Sequence, residues 1–211
     1  MIPTREELYA ALEERHGAAL QEKLSCAQVA VCGLGGLGSN IAVALARAGV
    51  GTLRLFDFDR VDISNLNRQQ YFIDQLGMYK TEALVQTLRR IAPYSEITAV
   101  NVRLTEENIP ELLADVPIVC EAFDKADQKA MLVNTVLTRL PHAYLVAGSG
   151  MAGLESANAV RTRRVTKRFY LCGDEHSDIA DGLGLVSARV AACASHQATM
   201  VIRLIAGDRD A

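Results

Sequence analysis

Residues 33–40 read GLGGLGSN and follow directly on the apolar run QVAVC at residues 28–32. No other stretch limits the possible folds of this chain as much. Gly33, Gly35 and Gly38 carry the G-x-G-x-x-G spacing, in which glycines let a strand turn tightly into a helix and let backbone approach a phosphate. The helix that follows offers unpaired N–H groups and the positive end of its dipole to an anion. That helix is legible as LGSNIAVALARAG, ending at Gly49. The spacing alone leaves the nucleotide open.

The strand–turn–helix rhythm repeats. TLRLFDFD, SEITAV, PIVCEAF and AYLVAGSG read as further strands. Helices are predicted over residues 4–24, 77–93 (stopped by Pro93), 105–114 (led by Thr105) and 125–140. Alternation of this kind predicts an α/β fold, a doubly wound, Rossmann-like, mostly parallel sheet. After Gly150 the pattern changes to two short β-type runs within residues 153–172, a polar loop over 172–184 and a last helix over 185–206. These predict a C-terminal antiparallel extension. The expected organisation of the 211 residues is a single domain. Within it, residues 1–25 are a helical segment, 26–150 the nucleotide-binding core, and 151–211 the extension, crossover loop and last helix. A ligand is then expected at the carboxyl ends of the strands.

Charge and cysteine usage exclude several classes. A net charge of −3 gives no general attraction to nucleic acid or to a membrane surface, and RTRRVTKR at 161–168 reads as a solvated hairpin. The longest apolar tract, residues 182–207, is interrupted by Arg189, His196 and Arg203, so no membrane span is expected. The five cysteines include no C-x-x-C pair, so neither structural zinc nor a disulfide framework is predicted. With acids in MIPTREELYA where a leader would be apolar, the expected location is the cytoplasm.

Asp57, at the end of the second strand, is placed to accept hydrogen bonds from ribose hydroxyls, which both NAD and ATP carry. The discriminating stretch is DFDRVDISNLNRQ, residues 57–69. Ser64, Asn65, Asn67, Arg68 and Gln69 supply amide and guanidinium donors suited to a polyphosphate. Lys80 adds a point charge, and Asp124, after the fourth strand, stands where a carboxylate holds Mg²⁺ among phosphates. A nicotinamide-dependent oxidoreductase would use the glycines and Asp57 but leave SNLNRQ and Lys80 idle. An inactive binding subunit is the third reading.

GLGGLGSN, DFDRVDISNLNRQ, GMYK and EAFDKADQK together resemble the ThiF/MoeB-type family, related to the adenylation domains of ubiquitin-activating enzymes. The likeness runs from ERHGAALQEKL to SHQATMVIRLIAG and looks most like the short, zinc-less ThiF branch. It implies ATP- and Mg²⁺-dependent adenylylation of the C-terminal Gly-Gly carboxylate of a small ubiquitin-like sulfur carrier protein, for thiamine thiazole synthesis. Molybdopterin-synthase activation and tRNA threonylcarbamoyladenosine dehydration share the adenylation step. By carry-over, Gly36, Asp57 and Asp59 contact nucleotide, Ser64, Asn65, Leu66, Asn67, Arg68 and Lys80 face phosphates, and Asp124 binds magnesium. Lys125 stands where many relatives have Asn. A homodimer is implied, with Arg15 reaching the partner's site, and a separate protein is expected to donate sulfur. Cys172 lies where some relatives carry a thiol that links to the carrier; Asp174, Glu175 and Asp178 beside it would raise that thiol's pKa.

Overall fold

The chain's computed structural model describes residues 2–211. β1 (Gln28–Cys32) shows how the sheet is built. Val29 and Val31 face one side, Ala30 and Cys32 the other, and all four are completely buried. A strand apolar on both faces belongs inside a sheet covered on both sides. β2 (Thr52–Asp57), β3 (Glu96–Asn101), β4 (Ile118–Glu121) and β5 (Tyr144–Gly148) lie parallel to it. β6 (Arg161–Arg164) and β7 (Phe169–Gly173) close the chain of strands as a hairpin. The seven-stranded order is β3-β2-β1-β4-β5-β7-β6. β7 runs parallel to β5, so the antiparallel extension is confined to the β6–β7 pair at the edge.

Helices cover both faces. α3 (Gly36–Arg47), α4 (Lys80–Ile91) and α7 (Ser187–Ala206) pack on the face of Val29 and Val31. α5 (Ile109–Leu112) and α6 (Ala126–Arg139) cover that of Ala30 and Cys32. Each fully buried Leu, Ile or Val contributes about 1.5–3 kcal/mol. The strand order reverses between β1 and β4, and the crevice outside their carboxyl ends is where such sheets bind ligands.

Three helix boundaries differ from the sequence reading. The helix expected over 4–24 is broken at Gly17, with φ of +90°, into α1 (Arg5–His16) and α2 (Ala18–Cys26). Thr105 does not start a helix: its N–H donates to Asn108 Oδ1 at 2.8 Å, closing a turn, and α5 begins at Ile109. Gly77, Met78 and Tyr79 pair with the segment at Arg60 and Val61, so α4 starts at Lys80. That pairing delivers Lys80 to the sheet edge, where its N–H donates to Asp59 O at 2.9 Å.

Candidate functional site

A cleft of about 510 Å³ opens at the carboxyl ends of β1, β2 and β4. Its floor is the glycine turn. A Cβ on Gly33, whose φ is +89°, would stand 2.9 Å from Ala122 O, and one on Gly38 would stand 1.8 Å from Gly33 O. Both positions therefore require glycine for backbone packing, and Gly38 lies behind the turn rather than on the cleft wall. Gly35 and Gly36 line the cleft. Gly35 occupies the N-cap of α3, and no side chain caps the helix there. The first-turn N–H groups are left for an anion.

Asp57 lines the cleft at the end of β2, mostly buried. Its Oδ2 accepts the Leu34 N–H at 2.6 Å and its Oδ1 the Asp59 N–H at 2.7 Å. Burial pushes its pKa up, and Lys80 together with these N–H donors draws it back only in part. Tyr71 completes the support by donating its hydroxyl to Leu34 O at 2.8 Å.

The segment after β2 separates the expected phosphate ligands into two groups. Asp59, Asn65, Arg68 and Lys80 line the cleft. Ser64 Oγ is bonded to Asp62 Oδ1 at 2.6 Å, Leu66 packs against the core, and Asn67 Nδ2 donates to Leu185 O at 2.9 Å. These three are not on the cleft wall. Lys80 is nearly buried and pairs with Asp59 at 3.1 Å. Arg68 donates to Ser64 O and Asn67 Oδ1, both at 2.9 Å, so its charge meets only neutral oxygens. Asn40 ties the two halves of the site by donating to Gly36 O and Arg68 O.

The opposite wall is the β4–α6 loop, where Asp124 and Lys125 are exposed to the cleft. Phe58, Arg60 and Arg103, which sequence reasoning passed over, also line it. Arg60 stacks on Tyr79 at 3.8 Å and Arg103 over Phe58 at 5.4 Å. Their only sequence signal was position just beyond β2 and β3.

Arg15 is exposed on α1, a helix with no buried residue, and does not line the cleft of its own chain. Cys172 has no solvent exposure; it lies on β7 in the core cluster that α7 covers. Burial pushes its thiol up to about 11, with the Thr162 hydroxyl pulling the other way. The acids expected to raise it are engaged elsewhere. Glu175 is bidentate to Arg163 at 2.9 and 2.6 Å, and Asp178 accepts the Ala180 N–H at 2.9 Å. Asp174 holds the buried Arg189, which also donates to Ala152 O, Glu155 O and Ser156 O. Cys172 is therefore placed as a core residue. Among the described residues, no helix is long and apolar enough to cross a membrane.

The profile of the ThiF family matches residues 9–211. A molybdopterin-synthase adenylyltransferase of Salmonella typhimurium is 34% identical over 192 residues, covering 88% of this chain and 76% of the relative. A sulfur carrier protein ThiS adenylyltransferase of Bacillus subtilis is 30% identical over 212 residues, covering 97% of this chain and 61% of the relative. Among solved structures, the E. coli tRNA N6-threonylcarbamoyladenosine dehydratase, in complex with ATP, shares the fold with a TM-score of 0.86 over 98% of both chains at 20% identity. A profile match that spans nearly the whole chain, with relatives of this identity and coverage, makes the protein a member of the ThiF family.

Proposed function

We propose that this protein uses ATP to adenylylate the C-terminal glycine carboxylate of a small ubiquitin-like sulfur carrier protein. The observation that carries the reading is Arg68. It is a guanidinium without an acidic partner among the described residues, lining one cleft with the uncapped N-terminus of α3 and the buried Lys80. Such a site binds a polyphosphate, and a nicotinamide reaction would leave it without a task.

The nucleophile, a carboxylate, is ionised at neutral pH, so no general base is required. What remains is to bring two anions together and to stabilise the charge growing on pyrophosphate as it leaves. Arg68 and Lys80 do this by fixed charge, and the α3 N–H groups by fixed dipoles. Lys80 exchanges Asp59 for phosphate oxygen when nucleotide arrives. Asp124 is an exposed carboxylate on the cleft wall, as Asp59 and Asp62 are, and such a donor suits Mg²⁺ when substrate phosphates supply the rest of its shell. The ion, when bound there, neutralises phosphate charge. Arg15, exposed and outside its own cleft, is assigned to the site of a second copy. A separate protein supplies sulfur.

The carrier divides the reading. The thiamine thiazole route is the reading drawn from sequence, which a relative named for ThiS supports; a relative named for molybdopterin synthase supports the alternative. The test is ATP–pyrophosphate exchange with each carrier in turn, alongside titration with ATP–Mg and with NAD. Arg68→Ala and Asp124→Ala are expected to lower exchange by about 10²-fold or more with unchanged circular dichroism. Wild-type exchange in both variants overturns the assignment.

A further inference from the structure

Beneath the loop that carries Asp124 lies an ion pair that the adenylylation chemistry leaves unused. Glu121 is the last residue of β4, and its side chain has no exposure to solvent. A carboxylate in that position is costly and must be compensated. Its Oε1 accepts the Phe123 N–H at 2.7 Å and Lys129 Nζ at 3.1 Å. The same Nζ stands 2.9 Å from Oε2, an ion-pair distance without hydrogen-bond alignment. Lys129 makes one more bond, donating to Phe123 O at 2.8 Å.

Both main-chain groups of Phe123 are thus held, the N–H by Glu121 and the carbonyl by Lys129. The carbonyl belongs to the planar peptide unit that also contains the nitrogen and Cα of Asp124. Holding that carbonyl therefore fixes the N–Cα bond from which Asp124 departs, leaving one backbone rotation to direct its side chain. The clamp is anchored at both ends: Glu121 ends a central strand and Lys129 sits on α6. It is referenced to the phosphate turn as well, since the Ala122 N–H donates to Cys32 O at 2.9 Å. Gln197 on α7 fixes the Glu121 carbonyl at 3.0 Å. Replacing a buried ion pair by an apolar pair of similar volume is often neutral or stabilising, but here it would leave the N–H and the carbonyl of Phe123 without these partners. Orientation of the loop is what the charged pair adds.

We infer that Glu121 and Lys129 are positioning residues, which clamp the two main-chain groups of Phe123 and so hold the Asp124 carboxylate at the phosphate end of the cleft. The inference rests on the adenylylation reading for its consequence, but the clamp itself is measurable in the free protein.

The variant that removes both charges together, Glu121→Gln with Lys129→Met, leaves no lone buried ion and is the one to make. Hydrogen–deuterium exchange of the free protein is expected to speed up at residues 122–126 and to stay unchanged in β1 and α3. In ATP–pyrophosphate exchange the variant is expected to lose about 10-fold or more in kcat, with a smaller change in KM for ATP. Adding Asp124→Ala to it is expected to cost nothing beyond Asp124→Ala alone, because the clamp acts through that side chain. Lys129→Arg, which keeps charge and donors, is expected to restore most of the rate. If the double variant does not fold, Glu121→Asp, with the charge kept and the reach shortened, carries the same measurements. Unchanged deuterium exchange at 122–126, a wild-type kcat, or an additive loss with Asp124→Ala overturns the inference. Absence of pyrophosphate exchange in the wild-type protein counts against the adenylylation reading instead, and the deuterium result still judges the clamp.

Discussion

Asp57 Oδ2 accepts the Leu34 N–H at 2.6 Å, across 23 residues of sequence. The residue that looks like a ribose ligand is thereby also the anchor of the glycine turn, with Tyr71 holding the other side of the Leu34 peptide region. Asp57→Ala leaves the Leu34 and Asp59 N–H groups without their acceptor, at a cost of about 1–3 kcal/mol. Asp57→Asn keeps an oxygen for one of them and is expected to lose less. Urea denaturation and ATP titration of the two variants check this. Wild-type stability in Asp57→Ala would remove the anchoring role.

Cys172 is expected to be a silent position for chemistry. Under native conditions a thiol reagent should modify Cys26, the exposed cysteine, and leave Cys172 untouched, as read by mass spectrometry. Cys172→Ser should keep adenylate formation and sulfur transfer while losing about 1–3 kcal/mol for burying a hydroxyl. Loss of transfer with adenylation intact would return Cys172 to the mechanism.

His176 is raised above its ordinary value of 6.5, first by its bond to the Asp174 backbone carbonyl and then by Glu155 at 3.1 Å. A folded-state pKa above the unfolded one adds stability that is complete below about 6.5 and is lost as pH rises through the folded value. The melting temperature should therefore drift down over that interval. Glu155→Gln should flatten the drift and bring the ring's NMR titration midpoint back toward 6.5. A midpoint that Glu155→Gln does not move contradicts the contact.

Ile63 and Ile73 are 73% and 78% exposed, and Phe72 and Leu76 of the same segment are exposed as well. Large apolar side chains gathered in one exposed stretch mark an interaction surface, to be tested for the proposed homodimer. Ile63→Asp with Ile73→Asp should give a monomer by light scattering. If Arg15 acts in trans, Arg15→Ala and Arg68→Ala proteins, each inactive, should regain exchange when mixed. A double variant that keeps the wild-type mass puts the interface elsewhere.

The sheet was legible in the sequence because its strands are short apolar runs punctuated by glycine and proline, and β1 hides both faces. Asp124 was legible because it follows β4 closely, and Arg68 and Lys80 because they lie in the β2–α4 connection, which returns to the same edge of the sheet. Side-chain direction was not legible. Ser64 and Asn67 lie in the same motif as Arg68, yet the tight turn capped by Asp62 aims them elsewhere. The Gly17 break was hidden because helical spacing of apolar residues continues across it. Glu121 with Lys129, and Asp174 with Arg189, escaped notice since each member looks ordinary until the fold brings its partner within reach.

The sheet ends at β6, whose four residues are Arg161, Thr162, Arg163 and Arg164. An open strand edge is a template on which any other extended chain can pair. Two such edges meeting would bring rows of arginine face to face, and like charge would drive them apart. The arginines of this edge therefore disfavour pairing of β6 with β6 of another copy, Arg161 and Arg164 more than Arg163, whose charge Glu175 matches.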